Sequence, residues 1–168
     1  MGGELAETRA AQKRAKVVGL DQGRPAAEAV TNTVIAAVAN APAGTNDYFI
    51  ERDGLRFAGT HLLLDFWGAV NLSNQAAIER ALVESVRASG ATLLHIHLHE
   101  FQENGGISGV AVLAESHISI HTWPERAYAA IDIFMCGGCD PYRAVPVLRR
   151  HFRPHTVQLG EQRRGLTE

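Results

Sequence analysis

The sequence has almost no net charge and no long apolar run, and both absences narrow its function. Its 168 residues carry a formal net charge of −2 with the histidines neutral, so nothing indicates a surface for nucleic acid or an anionic membrane. The longest apolar stretch, residues 34–39, is far shorter than the roughly 20 residues of a membrane-spanning helix. The first residues mix Glu with Lys and Arg and resemble neither a secretory signal nor a transit peptide. We therefore expect a cytoplasmic protein.

Cysteine is scarce, and the two that are present, Cys136 and Cys139, form the sequence Cys-Gly-Gly-Cys. This spacing occurs in redox pairs and in half of a structural zinc site. A redox pair usually opens a helix after a strand in a thioredoxin-like unit, and no second C-x-x-C is available for zinc. Both possibilities stay open, but the pattern favours a single useful thiol at Cys136, at the end of a predicted strand.

Two segments differ in composition. Residues 1–46 are rich in Ala, Gln, Lys, Arg and Asn and are broken by Pro25, Pro42 and Gly44. We interpret them as an N-terminal leader that is partly helical, over residues 26–40, or mobile. Residues 47–168 form the predicted compact domain, and the 46% hydrophobic content of the chain is enough for a core.

Hydrophobic periodicity predicts strands and helices within residues 47–168. The predicted strands are apolar or alternate in polarity, and they lie at residues 48–52, 55–58, 60–69, 92–101, 107–114, 117–123, 128–136 and 156–159. A helix capped by Ser73 or Asn74 should end at Gly90, and a second should follow Asp140 and reach about Phe152. This order predicts an α+β fold, an antiparallel sheet with helices packed on one face in a two-layer sandwich. The other sheet face needs a cover, so we predict a homodimer that pairs through the sheets.

The strand at residues 92–101 alternates between apolar residues and histidines. Strict alternation predicts that Leu94, Ile96 and Leu98 share one face of the strand. Its other face carries His95, His97 and His99. Two of these histidines are spaced closely enough to share a zinc ion, with Glu100 or His61 as further ligands, but no fourth ligand is obviously placed. A polar strand face explains the histidines as well, and we predict no metal.

Glu115, Ser116 and His117 place an acid, a hydroxyl and an imidazole side by side between two predicted strands. A Ser-His-acid hydrolase would normally present its serine in a G-x-S-x-G turn between a strand and a helix, and the sequence lacks that motif. Hydrolysis is therefore not favoured.

A family resemblance gives these residues another role. Residues 105–141, GGISGVAVLAESHISIHTWPERAYAAIDIFMCGGCDP, resemble the signature of the bacterial and archaeal S-adenosylmethionine decarboxylases, pyruvoyl-dependent enzymes of polyamine synthesis. The run E-S-H-x-x-I-H-T-W-P-E is highly specific, and the similarity extends over residues 48–154. The resemblance implies decarboxylation of S-adenosylmethionine to decarboxylated S-adenosylmethionine and CO₂, for spermidine biosynthesis.

In this family the chain is a proenzyme that cuts itself between the Glu and the Ser, here Glu115 and Ser116. The resemblance implies that Ser116 becomes a covalent pyruvoyl group whose ketone condenses with the substrate amine, so that no dissociable cofactor is needed. The products would be a β chain of residues 1–115 and an α chain of residues 116–168.

Other positions match the family's functional residues. Ser108 and His121 match its processing serine and histidine, and a bend at the cleavage site is expected to bring them to Ser116. Cys136 matches the proton donor of decarboxylation. A thiol suits this role because at its ordinary pKa of about 8.5 it is mostly protonated at neutral pH. Cys139 has no implied role.

The implied substrate contacts are Phe101, for stacking, and Glu125, for the ribose hydroxyls. The sequence FQENGGISG has one residue more between Phe101 and Ser108 than the commonest family spacing and lacks its proline. Trp67 and Trp123 are assigned to the core or an interface. Two alternatives remain: a relative that decarboxylates ornithine or arginine by the same chemistry, and an uncleaved, non-catalytic homologue.

Overall fold

The computed structural model describes residues 48–167. The predicted leader at residues 1–46, with its helix at residues 26–40, lies outside the described residues. The elements in chain order are β1 (Ile50–Arg52), β2 (Leu55–Phe57), β3 (Gly59–Trp67), α1 (Gln75–Ala88), β4 (Leu93–Glu100), β5 (Ile107–Leu113), β6 (Ser116–Trp123), β7 (Tyr128–Cys136), α2 (Ala144–Phe152) and β8 (Thr156–Arg164). Within this range no helix is long and apolar enough to cross a membrane.

A six-stranded sheet of order β4-β5-β6-β7-β3-β8 forms the centre of the fold, and every neighbouring pair in it is antiparallel. β1 and β2 form a separate hairpin through the predicted turn Asp53-Gly54. α1 and α2 pack on each other and on one face of the sheet, where their apolar side chains join those of the central strands in one core. The α+β prediction, with helices on one face, is confirmed.

α1 begins and ends where its sequence signals predict. The Asn74 side chain caps the helix by accepting a hydrogen bond from the Ala77 N–H at 3.0 Å. Ile78, Leu82 and Val86 are buried against the sheet. Gly90 follows with a φ of 75°, a left-handed conformation that glycine adopts without strain.

The last two elements differ in length from their predictions. The helix predicted after Asp140 opens as a short 3₁₀ turn, Pro141–Arg143, and becomes α-helical at Ala144. β8 continues to Arg164 instead of ending at Leu159. Its second half is polar because β8 is an edge strand, so the apolar pattern that predicted residues 156–159 stops while the pairing with β3 continues.

The strict alternation predicted for β4 is wrong at Leu94. Leu94 is 64% exposed, whereas Leu93 packs against the core together with Ile96 and Leu98. The cause is an irregularity in the ladder: Leu93 pairs with Leu113, but the next paired residue is His95. Leu94 is the extra residue of this bulge, and strict alternation fails at that position.

The surface of the sheet that faces away from the helices is called the open face here. Side chains alternate between the two surfaces along each strand, and the open face carries His95, His97 and His99 of β4, Ser108, Val110 and Val112 of β5, His117, Ser119, His121 and Trp123 of β6, Tyr128, Ala130, Asp132, Phe134 and Cys136 of β7, and His61, Leu63, Asp65 and Trp67 of β3. Neither α1 nor α2 covers it. The homodimer through this face stays a prediction.

Candidate active site

The predicted cleavage site lies in the tight turn between β5 and β6. Leu113 pairs with Ser116, which leaves Ala114 and Glu115 as the two turn residues. Glu115 has a φ of 60°, a left-handed conformation that costs a residue with a side chain about 1–2 kcal/mol. The peptide bond between Glu115 and Ser116 therefore follows a strained residue.

Cys136, the last residue of β7, contacts both sides of that peptide bond. Its thiol donates to the Glu115 carbonyl oxygen, with Sγ and O 3.2 Å apart. Its backbone N–H donates to Ser116 Oγ at 3.3 Å, and Sγ lies 3.7 Å from the same oxygen. Ser116 is only 7% exposed, whereas the contact between the Cys136 thiol and the Glu115 carbonyl oxygen is exposed.

Cys139 points elsewhere. Its thiol donates to the Gly90 carbonyl oxygen at 3.6 Å and packs against the core. Burial, and to a smaller extent the nearby Cys136, raise the pKa of Cys139. The two thiols of the C-x-x-C thus hydrogen-bond to different partners, and only Cys136 contacts the predicted cleavage site.

Ser108 and His121 form a second polar pair at the opposite end of β6. They are register partners on β5 and β6, and Ser108 Oγ lies 2.8 Å from His121 Nδ1. β6 pairs with β5 and β7 along its length without a break. Five residues of extended strand separate His121 from Ser116 by about 16 Å. The expected bend that would bring this pair to Ser116 is therefore wrong for a single chain.

A cavity of about 380 Å³ opens beside the Ser108–His121 pair. Its lining residues are Phe101, Glu103, Asn104, Ser108, His121, Thr122 and Trp123. Phe101, a predicted substrate contact, lies in this lining with its ring edge-on to His99 at 4.9 Å between centroids. Glu125 does not line the cavity; it is exposed in the 3₁₀ turn Pro124–Arg126 between β6 and β7.

Comparison with known proteins decides the family. The family model described as S-adenosylmethionine decarboxylase matches residues 60–165. The chain belongs to the S-adenosylmethionine decarboxylase family. The matched region contains the strained turn, the Cys136 contacts and the cavity.

Relatives of this S-adenosylmethionine decarboxylase domain occur in bacteria and archaea. The S-adenosylmethionine decarboxylase proenzyme of Thermomicrobium roseum is 41% identical over 113 residues, which cover 67% of this chain and 97% of the relative. That of Methanococcus maripaludis is 44% identical over 66% of this chain and 92% of its own. The crystal structure of the Aquifex aeolicus adenosylmethionine decarboxylase superposes with a TM-score of 0.58 at 33% identity, covering 67% of this chain and 94% of that one.

Sequence reasoning did not find Thr122, a residue of this site. Thr122 is buried beside His121, where its hydroxyl accepts from the Ile107 N–H at 2.7 Å and donates to the Leu72 carbonyl at 2.8 Å. It thereby ties β5, β6 and the loop before α1 together under the cavity. The only sequence signal was its place in the His-Thr-Trp run.

Neither tryptophan lies in the core, so of the two predicted places, core or interface, only the interface stays a prediction. Trp67 is 44% exposed and Trp123 is 38% exposed, both on the open face. Tyr128 lies between them, with its ring centroid 4.3 Å from Trp67 and 5.2 Å from Trp123. The Tyr128 hydroxyl donates to Asp65 Oδ1 at 2.5 Å. Burial and this carboxylate raise the pKa of Tyr128 to about 12.

A ring cluster of His61, His117 and Phe134 lies on the open face near the Cys136 end of β7, with ring centroids about 6 Å apart. Burial lowers the pKa of His61, and this effect exceeds the opposing attraction of Asp132, 3.9 Å away. Across residues 48–167, no three His, Cys, Asp or Glu side chains lie together as a metal site would require.

Proposed function

We propose that this chain is a self-cleaving S-adenosylmethionine decarboxylase proenzyme that acts in the cytoplasm in spermidine biosynthesis. Its products would be decarboxylated S-adenosylmethionine and CO₂. Family membership supports the activity. The observation that carries the proposal is the position of the Cys136 thiol, 3.2 Å from the carbonyl oxygen of Glu115. It places a hydrogen-bond donor at the carbonyl of the peptide bond that must be cut.

Cleavage begins with Ser116. Its Oγ bonds to the carbonyl carbon of Glu115 as the C–N bond breaks, which turns the amide into an ester and frees the Ser116 nitrogen. The attack places negative charge on the carbonyl oxygen, and the Cys136 thiol is positioned to stabilise that charge. The left-handed φ of Glu115 is strained in the uncut chain, and cleavage lets Glu115 leave the turn, so relief of this strain favours the reaction.

Elimination completes the cut. A base removes the Cα proton of residue 116, the Cβ–Oγ bond breaks, and Glu115 leaves with the oxygen as a new carboxylate. The remaining dehydroalanine takes up water and loses ammonia, which leaves a pyruvoyl group at the start of the fragment 116–168. Residue 116 fits such a group, because it starts a strand and its surroundings already hold the N–H and thiol of Cys136.

The pyruvoyl group would supply an electron-accepting carbonyl for decarboxylation. The thiol of Cys136 would return a proton to the substrate carbon after CO₂ leaves. It lies 3.7 Å from Ser116 Oγ in the uncut chain, so one thiol can serve both cleavage and turnover.

A homodimer would complete the site. The Ser108–His121 pair and Ser116 lie at opposite ends of β6, about 16 Å apart. A two-fold axis that crosses the strands near Asp132, midway along β7, would stack the open faces of two copies on each other. Each end of β6 in one copy would then lie over the opposite end of β6 in its partner. The Ser108–His121 pair of one copy would then face Cys136 of the other, whose N–H and thiol contact Ser116 Oγ. We propose that His121 supplies the base for elimination and that Ser108 holds its ring.

The cavity supports an adenosyl substrate over a basic amino acid. Of its seven lining residues, two are aromatic, Phe101 and Trp123, and the single acid, Glu103, is exposed. A guanidinium or amine would call for a buried carboxylate, whereas a purine needs a flat apolar surface. Phe101 is the proposed stacking residue. Glu125 is the proposed partner of the ribose hydroxyls, although it lies outside the cavity of a single chain.

Mass and CO₂ release test the function. The purified protein should consist of two fragments, residues 1–115 and 116–168, with a borohydride-reducible carbonyl on the smaller one. Ser116→Ala should give one chain of 18.2 kDa. CO₂ should come from carboxyl-labelled S-adenosylmethionine and not from ornithine or arginine. An uncut wild-type chain, or release from either amino acid alone, would overturn the proposal.

A mixing experiment tests the shared site. Ser116→Ala keeps the Ser108–His121 end intact, and His121→Ala keeps the Ser116–Cys136 end intact. Co-expression of the two differently tagged variants should restore cleavage of the His121→Ala chain. Co-expression of two His121→Ala chains is the control and should stay uncut. If the mixed pair also stays uncut, the two ends do not meet across a dimer.

A further inference from the structure

We propose that Cys136 and Cys139 are a reversible modification site, which a low-molecular-weight disulfide such as glutathione disulfide oxidises to an intramolecular disulfide bond. The proposed mechanism uses Cys136 and gives no role to Cys139, the second thiol of the Cys-Gly-Gly-Cys motif. The bond itself goes beyond the proposed function. Its effect on catalysis rests on that function, since the bond would take the Cys136 thiol away from the reacting atoms.

The first argument is the distance between the two residues. β7 ends at Cys136, and Gly137 and Gly138 follow it in a tight turn. The Cys139 N–H donates across this turn to the Cys136 carbonyl oxygen at 3.4 Å. Residues that span such a turn have Cα atoms within about 7 Å of each other, and a disulfide needs about 4.4–6.8 Å. The backbone is therefore already close to the geometry of a bonded pair.

The second argument is the freedom of the turn to adjust. A Cβ added at Gly138 would meet no atom within 4 Å, so the domain does not pack against the turn at this point, and glycine tolerates a wide range of φ and ψ. The Cys139 thiol donates to the Gly90 carbonyl oxygen at 3.6 Å, and the Cys136 thiol to that of Glu115 at 3.2 Å. A thiol is a weak donor, so turning the two side chains toward each other sacrifices little.

The third argument is access. Both cysteines are free and half-buried, and the hydrogen bonds of both thiols are exposed, so a small disulfide can reach them. The chain has no other cysteine, which gives each thiol a single possible partner within the chain. Among residues 48–167, no third His, Cys, Asp or Glu joins them to form a metal-binding group.

Oxidation proceeds by two thiol–disulfide exchanges. Cys136 is assigned the first attack, because burial raises the pKa of Cys139 and so lowers its thiolate fraction. The Cys136 thiolate attacks one sulfur of glutathione disulfide, the S–S bond of the reagent breaks, and one glutathione leaves as a thiolate. The Cys139 thiolate then attacks the mixed disulfide at Cys136, and the second glutathione leaves. In sum, two protein thiols are oxidised, one glutathione disulfide is reduced to two thiols, and the two protein protons pass through solvent to the leaving thiolates.

The bond would switch off the proposed chemistry. A disulfide sulfur carries no proton, so Cys136 could neither donate to the Glu115 carbonyl nor return a proton to the substrate carbon. A general acid usually contributes about 10²–10⁴ in rate. We therefore expect the oxidised enzyme to release CO₂ about 100-fold more slowly or worse, and a thiol reductant should restore the rate.

Mass spectrometry of the cleaved enzyme tests the bond. The wild type is incubated with glutathione disulfide, and the mass of the fragment 116–168 is measured without reduction. It should fall by two hydrogens, and dithiothreitol should return both the mass and the release of CO₂. Cys139→Ala, which keeps the Cys136 thiol and should keep the basal activity, is the matched control. It should gain one glutathione at Cys136 and retain it, since no second thiol is present to displace it.

A second measurement does not depend on the variant folding. Trypsin cuts after Arg126 and Arg143, so the peptide 127–143 of the wild type contains both cysteines. Digestion of the oxidised protein without reduction should give this peptide two hydrogens lighter than after dithiothreitol.

The outcomes separate the inference from the proposed function. If the wild type keeps two free thiols, or retains glutathione at Cys136 as Cys139→Ala does, the disulfide is overturned whatever the activity. If the disulfide forms and CO₂ release from S-adenosylmethionine is unchanged, its link to catalysis is overturned. If the untreated protein is uncut and releases no CO₂, the proposed function fails, and the mass of the 18.2 kDa chain still tests the bond.

Discussion

Replacing Cys136 with alanine removes a thiol from the Glu115 carbonyl and leaves the backbone donor in place. In the uncut chain Sγ lies 3.2 Å from that oxygen, while the Cys136 N–H donates to Ser116 Oγ at 3.3 Å. The substitution therefore tests the contribution of the thiol alone. We expect the Cys136→Ala chain to cut itself, but slowly.

The magnitude follows from the kind of donor. Loss of one well-placed oxyanion donor typically costs about 10²–10³ in rate. A thiol is a weaker donor than an amide or a hydroxyl, so the loss should lie lower, at about 10–100-fold. Cys136→Ser keeps a donor with a shorter reach and should fall between alanine and the wild type. Cys139→Ala is the matched control, since that thiol donates to Gly90.

The assay follows cleavage from the moment of synthesis. Chains made in a cell-free system are sampled over time, and the uncut chain and the fragment 1–115 are quantified on a denaturing gel. Cys136→Ala should lag behind Cys139→Ala, and should decarboxylate poorly even after cleavage is complete. If Cys136→Ala cuts itself as fast as Cys139→Ala, the thiol does not stabilise charge on the Glu115 carbonyl. Normal turnover would likewise remove Cys136 from the decarboxylation step.

Two further predictions concern stability, and both are measured by urea unfolding of the uncut Ser116→Ala chain at a fixed protein concentration. Thr122→Val leaves the buried Ile107 N–H and Leu72 carbonyl without a partner. It should lower the free energy of unfolding by about 2–6 kcal/mol, whereas Thr122→Ser, which keeps the hydroxyl, should lose about 1 kcal/mol; equal losses would contradict the hydrogen-bond argument. The pKa of His61 is lowered by burial from 6.5, so the unfolded chain binds this proton more readily than the folded one. The contribution of neutral His61 to the free energy of unfolding is therefore complete above pH 6.5, and it is lost as the pH falls from 6.5 through the pKa of His61 in the folded chain. His61→Phe should flatten the decline in unfolding free energy between pH 7 and pH 5, and an unchanged slope would show that His61 is not its source.

Local signals in the sequence were sufficient to predict those elements whose bounds are determined by residues close together in the chain. Asn74, Gly90 and the four-residue apolar spacing determine the ends and the buried face of α1 through contacts within that helix. For the same reason the cleavage site falls between two well-patterned strands, with Glu115 as the last turn residue and Ser116 as the first residue of β6. The order of the strands in the sheet, in contrast, depends on pairing between distant segments.

The arrangement of the site required that pairing. Sequence spacing alone allowed a bend at the cleavage site that would bring His121 to Ser116, but β5 and β7 hold β6 straight and keep its two ends apart. The bulge at Leu94 arises from a mismatch in the β4–β5 ladder, which the alternation of β4 by itself does not contain. The core was offered as one place for the two tryptophans because large apolar side chains are usually buried, whereas the open face of a single chain leaves them uncovered.

The place of β3 in the sheet determines what a cut after Glu115 does to the molecule. Residues before the cut supply β3, β4 and β5, and residues after it supply β6, β7 and β8. β3 lies between β7 and β8, so a strand of the first fragment is paired on both sides with strands of the second. Separation would have to break both ladders of β3 together with the ladder between β5 and β6. We therefore expect the severed chains to melt in one cooperative transition and to part only when the whole domain denatures.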